Sequence, residues 1–211
     1  MLNFVAIDFE TANKFPNSAL SLACTVVENG AIKDTWYSLI KPPFQTFDPD
    51  CTAVHGIQPK EVANAPTFDQ LWPDIYETCL KDRIILAHNA RFDVGVLRAT
   101  LDHYKLAWPD NQFADTVKIA RKVWPTLVNH KLNTVGALGV EFRHHYALDD
   151  AETCAKIATA AAKETHTNSL PELLSVIKVP LEDFIEDKHR ARQAKLQEEE
   201  AASQQTSLFK V

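Results

Sequence analysis

The sequence predicts an α/β domain with a mixed sheet, and two observations carry that prediction. The first part of the chain reads as strands joined by a hairpin turn, and beyond Thr67 short apolar segments alternate with stretches of helical spacing. A chain of 211 residues, 45% of them hydrophobic, has enough apolar material for one such core plus an appendage.

The elements follow in order. Phe4 to Glu10 is apolar on both faces until the acids appear, as expected of a central strand covered on both sides. Leu20 to Glu28 leads into Asn29-Gly30, a pair that accepts the positive φ angles of a type I′ turn, and Ala31 to Ile40 returns as the hairpin partner. Pro42-Pro43 ends that strand and opens a long loop containing His55-Gly56-Ile57. Thr67 caps a helix marked by Leu71, Ile75, Cys79 and Leu80. Ile84 to Ala87 is a short buried strand, and Phe92 to Tyr104 returns to helical spacing through Val96, Leu97 and Leu101. Phe113 to Asp115 is a further strand, followed by a helix over Val117 to Trp124 that Pro125 closes. The last core helix is expected to start near Asp150, with Asp149 and Glu152 as a capping pair and alanines carrying it to Lys163. Leu170 to Val179 retains enough apolar residues to pack on this core. Glu182 to Glu200 is charge-dense without an apolar stripe and reads as a solvated helix or disordered arm. The expected division is therefore a domain over residues 1–180, with its core at about 2–165, and a charged tail over 181–211.

The net charge of −6 argues against a protein that grips nucleic acid by bulk electrostatics. Cys24, Cys51, Cys79 and Cys154 show neither C-x-x-C nor zinc spacing, which suits reduced, buried thiols. No segment reaches the roughly 18 consecutive apolar residues of a membrane span, and the N-terminus lacks a basic leader. The expectation is a soluble cytoplasmic protein without membrane contact.

The chemistry lies in scattered acids. Asp8 and Glu10 are two apart on a strand, so their side chains leave one face with α-carbons roughly 6.6 Å apart. Two cations about 3.5 to 4 Å apart fit between groups so placed. Asp93 falls in the first turn of a helix, where the dipole favours an ionised carboxylate, and Asp150 is placed similarly. His145 lies just ahead of Asp150, and an imidazole with an ordinary pKa of about 6.5 can act as a general base near neutral pH. Together these residues specify metal-assisted hydrolysis of a phosphodiester.

The stretches DFET, HNARFD and HYALDDAE resemble, in order, the motifs of the DEDDh branch of the 3′-to-5′ exonucleases, which includes the proofreading epsilon subunit of bacterial DNA polymerase III. The resemblance covers residues 2–165 and implies a ribonuclease-H-like mixed sheet flanked by helices. It implies two divalent cations, Mg2+ or Mn2+, held by Asp8, Glu10, Asp93 and Asp150, with His145 as the base. It further implies substrate contacts from Thr11 and Ala12, from His55 and Ile57 of the HGI loop, and from Asn89. After Glu10 the sequence reads TANKFPNSA, without the family's glycine-containing turn, so the residue that wedges between bases is unassigned and Phe15 is only a candidate. The implied substrate is a single-stranded or frayed DNA 3′ end, in proofreading or repair, with a polymerase subunit as a partner. An exoribonuclease would use the same residues, and a non-catalytic clamp-bound scaffold is the alternative outside enzymes. In the tail, Gln205, Leu208 and Phe209 resemble the short peptide with which bacterial replication and repair proteins bind the sliding clamp.

Overall fold

Alternation along the first strand decides how the molecule is layered. In the computed structural model, which describes residues 1–136, 146–186 and 189, β1 (Phe4–Thr11) sends Val5, Ile7 and Phe9 into one apolar cluster and Phe4 and Ala6 into another. Successive side chains point to opposite faces. Asp8 and Glu10 continue the even-numbered series, so they stand on the Phe4 and Ala6 face while Phe9 anchors the other.

β2 (Ala19–Glu28) and β3 (Ala31–Leu39) form the expected hairpin, with Asn29 at φ 55° and Gly30 at φ 79° supplying the two positive angles of its turn. β4 (Ile85–Ala87) runs parallel to β1, and β5 (Gln112–Asp115) runs parallel to β4. A final short strand, β6 (Glu182–Asp183), pairs antiparallel with β5 and completes the order β3-β2-β1-β4-β5-β6. This is the mixed sheet that the sequence predicts. The β1–β2 register shifts between Glu10 and Thr11, a bulge at the point where β1 turns from core to site.

Helices cover both faces. α1 (Pro49–His55) and α2 (Pro59–Val62) occupy what the sequence reads as a loop. Pro49 and Pro59 each open a helix, the position where a missing N–H is harmless. Asp48 accepts the Asp50 N–H at 2.9 Å, and Glu61 accepts the Gln58 N–H at 2.7 Å. α3 (Phe68–Asp74) begins at Thr67, whose N–H bonds Gln70 Oε1 at 2.9 Å, and continues as a π-helical turn over Ile75–Leu80. That widening follows Pro73, which cannot donate to the preceding turn.

α4 (Arg91–His103) packs Val94, Leu97 and Leu101 against Val5, Ile7 and Phe9, while α5 (Thr116–Val123) and the short α6 (Leu132–Gly136) flank the other side. α7 (Ala147–Glu164) lies over Phe4 and Ala6 through Ala155, Ala158, Ala161 and Ala162. α7 starts at Ala147, so Asp149 and Glu152 are not its capping pair; Glu152 instead accepts from Lys156 at 3.1 Å, one turn on. α8 (Leu170–Ile177) buries Leu170, Leu173 and Leu174 in the same cluster.

The charged arm expected beyond residue 180 also needs correction at its start. Phe184 is fully buried and β6 extends the sheet. Arg98 of α4 donates Nε–H to the Phe184 carbonyl at 3.0 Å and pairs with Glu186 at 2.7 Å, its guanidinium lying 5.1 Å from the Phe184 ring centre. All four cysteines are free, and Cys51 alone is partly exposed rather than buried. Among the described residues, no helix is long and apolar enough to cross a membrane.

Candidate active site

The end of β1 and the start of α7 meet on one face of the sheet, and three carboxylates meet with them. Ligand oxygens of Asp8, Glu10 and Asp150 all lie within 4.8 Å of one another. Asp150 reaches them because Ala147 and Ala151 pack against Ala23 of β2, seating the first turn of α7 directly on the sheet.

Asp93 arrives from the other side. It sits in the first turn of α4, is 2% exposed, and its Oδ1 accepts the Phe9 N–H at 2.9 Å. It stands outside the group of three, although its charge bears on Asp8 and Glu10.

The electrostatics of this group are those of acids crowded without compensation. Burial first, then the charges of Asp93, Glu10 and Asp150, hold the Asp8 carboxyl well above the usual range. Burial followed by Asp150 and Asp93 raises Glu10 to about 8. Burial raises Asp93 to about 8 as well, against the stabilising Phe9 N–H, with Asp115 and Asp150 adding to the rise. The ion pairs among the described residues involve neither Asp8 nor Glu10. Carboxylates so placed hold protons unless a cation replaces them, and an all-oxygen donor set fits a hard divalent ion such as Mg2+ or Mn2+.

A cleft of about 610 Å³ opens above the carboxylates. Asp8, Glu10 and Asp150 form part of its lining, and His88, Asn89, Arg121, Asn129, His130 and Lys131 supply its other polar groups. Val54 and Phe92, both large and about half exposed, add apolar edges.

The β4–α4 turn positions Asn89 in that cleft. Asn89 adopts φ 70°, a left-handed conformation that asparagine tolerates better than most side chains, and its N–H bonds Asp115 Oδ1 at 3.1 Å. The same oxygen accepts the Val117 N–H at 2.8 Å, so Asp115 ties this turn to the start of α5. His88 places Nδ1 2.9 Å from Thr116 Oγ1 and Nε2 3.0 Å from the His130 carbonyl. A carbonyl only accepts, so Nε2 carries a proton.

A second cavity of about 270 Å³ also has Glu10 in its lining, together with Ser21, Tyr37, His55, Ile57 and Tyr146 among others. The Ile57 N–H donates to His55 Nδ1 at 3.0 Å, which leaves the proton on Nε2 to bond the Thr11 carbonyl at 3.2 Å. The HGI loop is thereby fastened to the end of β1.

The structure thus brings Asp8, Glu10, Asp150 and Asn89 to one cleft, seats Asp93 behind it, and sets His55 and Ile57 in the adjoining cavity. Thr11 and Ala12 line neither cavity. Thr11 is 8% exposed with its carbonyl bonded to His55, and Ala12 is fully buried. The Ala12 N–H donates to Ser18 and its carbonyl accepts from Asp48, so its backbone is engaged within the fold. Phe15 is 69% exposed but lines neither cavity. His145, Gln205, Leu208 and Phe209 lie outside the described residues. Sequence reasoning missed Arg121, His130, Lys131 and Asp115; the Arg121-Lys122 pair reads locally as no more than a basic helix end.

Comparison with known proteins bears on this arrangement. Residues 5–158 match the family described as exonuclease, of the RNase T type. DNA polymerase III PolC-type from Thermotoga maritima is 30% identical over 158 residues, which are 73% of this chain and 11% of that protein. The PolC-type protein of Halalkalibacterium halodurans is 29% identical over 165 residues, 76% of this chain and again 11% of the relative. The chain therefore spans about one-ninth of the length of these relatives.

Among solved structures, exonuclease X in complex with 5′-overhanging duplex DNA superimposes with a TM-score of 0.66 at 22% identity, covering 82% of this chain and 99% of that one. The nuclease domain of 3′hExo, a DEDDh family member bound to rAMP, gives a TM-score of 0.67 at 20% identity, covering 77% and 92% respectively. These likenesses show the ribonuclease-H-like exonuclease fold.

Proposed function

Since the chain belongs to the RNase T exonuclease family, we propose that it is a metal-dependent exonuclease that removes nucleoside monophosphates from the 3′ ends of single-stranded or frayed DNA. The observation that carries this reading is the meeting of Asp8, Glu10 and Asp150 within 4.8 Å at the cleft. Two divalent cations bound there would supply Lewis-acid activation of water and stabilisation of the leaving oxygen. Asp8, Glu10 and Asp150 would hold those cations through their carboxylate oxygens. Asp93 fixes the β1 backbone through the Phe9 N–H, and its charge bears on Asp8 and Glu10.

His145, five residues ahead of Asp150 in sequence, is the proposed base that takes the proton of the attacking water. The PolC-type relatives are named as DNA polymerases, which favours DNA as the substrate. A setting in proofreading or repair, with a polymerase subunit as partner, extends that reading. The bound rAMP of the 3′hExo nuclease domain favours a second reading, an exoribonuclease using the same residues.

Digestion of single-stranded, mismatched and matched DNA oligonucleotides and of RNA, with Mg2+, Mn2+ or chelator, separates the two. Stepwise release of monophosphates from the 3′ end, faster on frayed DNA than on RNA and abolished by chelator, is the expected result. Preference for RNA would replace the first reading with the second, and release of no monophosphate from any substrate would reject both.

The C-terminal peptide containing Gln205, Leu208 and Phe209 extends the proposal to a sliding clamp, since apolar anchors on a polar tether raise local concentration without new contacts to DNA. Removal of residues 204–211 is expected to abolish clamp binding in calorimetry. An unchanged affinity would discard that partner.

A further inference from the structure

Two cations share the cleft with the acid cluster, and in a chain of net charge −6 their position is informative. Arg121 stands in the last turn of α5, and Lys131 immediately precedes α6. Both are exposed, and neither is engaged in an ion pair among the described residues. Complementing the α5 dipole would explain Arg121 and Lys122 equally, yet only Arg121 lines the cleft.

The segment carrying Lys131 is also held in place. His88 donates Nε2–H to the His130 carbonyl at 3.0 Å, His130 Nε2 lies 3.0 Å from the Trp124 carbonyl, and the Lys131 N–H bonds Asn129 Oδ1 at 3.0 Å. The end of β4 thus fixes the backbone that presents the lysine.

We propose that Arg121 and Lys131 form a phosphate-binding ledge for the nucleic-acid backbone on the 5′ side of the scissile bond. The proposal rests on the exonuclease reading for its substrate. The scissile phosphate must lie against the carboxylates, where it needs cations to approach, whereas cationic side chains elsewhere in the same cleft suit the phosphates that follow. At about 610 Å³ the cleft falls in the size range of sites that enclose whole ligands, on the order of 300–1,000 Å³, and so holds more than one phosphate. The ledge reads charge and spacing rather than sequence. It makes the length of the substrate strand a determinant of affinity.

The test compares a short oligothymidylate with the p-nitrophenyl ester of thymidine 5′-monophosphate, which has no upstream phosphate, in the wild type, the Arg121→Ala/Lys131→Ala double variant and Lys122→Ala. The ratio of kcat/KM for the oligonucleotide to that for the ester is expected to fall about a hundredfold in the double variant, about tenfold per lost charged contact. The slope of log KM against log salt concentration is expected to shrink by about 1.4. Lys122→Ala is expected to keep the wild-type ratio. A double variant that also keeps that ratio would overturn the ledge, as would an equal fall for Lys122→Ala.

Anisotropy of the labelled oligothymidylate is measured in parallel. If the wild type hydrolyses neither substrate, the exonuclease reading fails on its own, while salt-sensitive binding lost in the double variant still supports the ledge and unchanged binding removes it.

Discussion

Asp8→Asn is expected to lower kcat by at least about a thousandfold while raising the melting temperature of the chelator-treated protein. The first effect follows from losing one of the three carboxylates that meet at the cleft, since metal-assisted activation contributes several kcal/mol and each 1.36 kcal/mol is about tenfold in rate. The second follows from the crowding of acids: an amide of the same shape removes a half-buried carboxyl whose ionised form is opposed by desolvation and by Asp93, Glu10 and Asp150.

The same physics gives a pH signature. Glu10 and Asp93 have folded-state values of about 8, above the roughly 4 of unfolded carboxylates. A raised folded pKa means that the native state binds more protons than the unfolded one, so this contribution to stability is full below about pH 4 and is lost as pH rises through 8. Stabilisation by Mg2+ should run the opposite way, growing from pH 6 to 9 as protons cease to compete for the same oxygens. Differential scanning fluorimetry across that range, with chelator and with Mg2+, reads both trends. An Asp8→Asn protein that is active, or less heat-stable than wild type in chelator, would remove Asp8 from the site.

Phe184→Ala is expected to destabilise the domain by about 3 to 5 kcal/mol, the usual range for emptying a buried aromatic site. Phe184 is fully buried, packs edge-on against Trp108 with ring centres 5.7 Å apart, and forms part of the cluster with Val5, Ile7 and Phe9 behind the carboxylates. Its loss also leaves the Arg98 guanidinium without one of its three aromatic neighbours. Against a total stability of about 5 to 15 kcal/mol, that is a large fraction. Urea denaturation checks the value, and a change under 1 kcal/mol would mean that residues beyond α8 contribute little to the fold.

What could be read from the sequence was local and periodic. The two-residue spacing of Asp8 and Glu10 places them on one face in any strand, and Asn29-Gly30 dictates its turn. Asp93 could be placed in a first helical turn from the apolar spacing after it. Phe184 could not be anticipated because one aromatic residue in a charged run has no period, and β6 has only the two residues Glu182 and Asp183.

α1 and α2 were hidden by prolines that read equally well as breakers. The start of α7 was missed because Tyr146 makes no side-chain cap, so the nearest acidic residue attracted the assignment. Arg121 and Lys131 come together with the carboxylates only through tertiary packing, which no local pattern encodes. The fastening of the HGI loop to Thr11 through His55 likewise depends on a contact spanning 44 residues, beyond any local pattern.

The alanines of α7 have one further implication. Asp150 stands close to Asp8 and Glu10 because the side chains beneath its helix, Ala147, Ala151 and Ala155, are each a single methyl group. The gap between the carboxylates is therefore gauged by volume rather than by charge, and a bulkier apolar residue at Ala151 would act as a spacer, lifting one carboxylate from the others. The spacing of these carboxylates is in this way controlled from positions that carry no polar atom in their side chains.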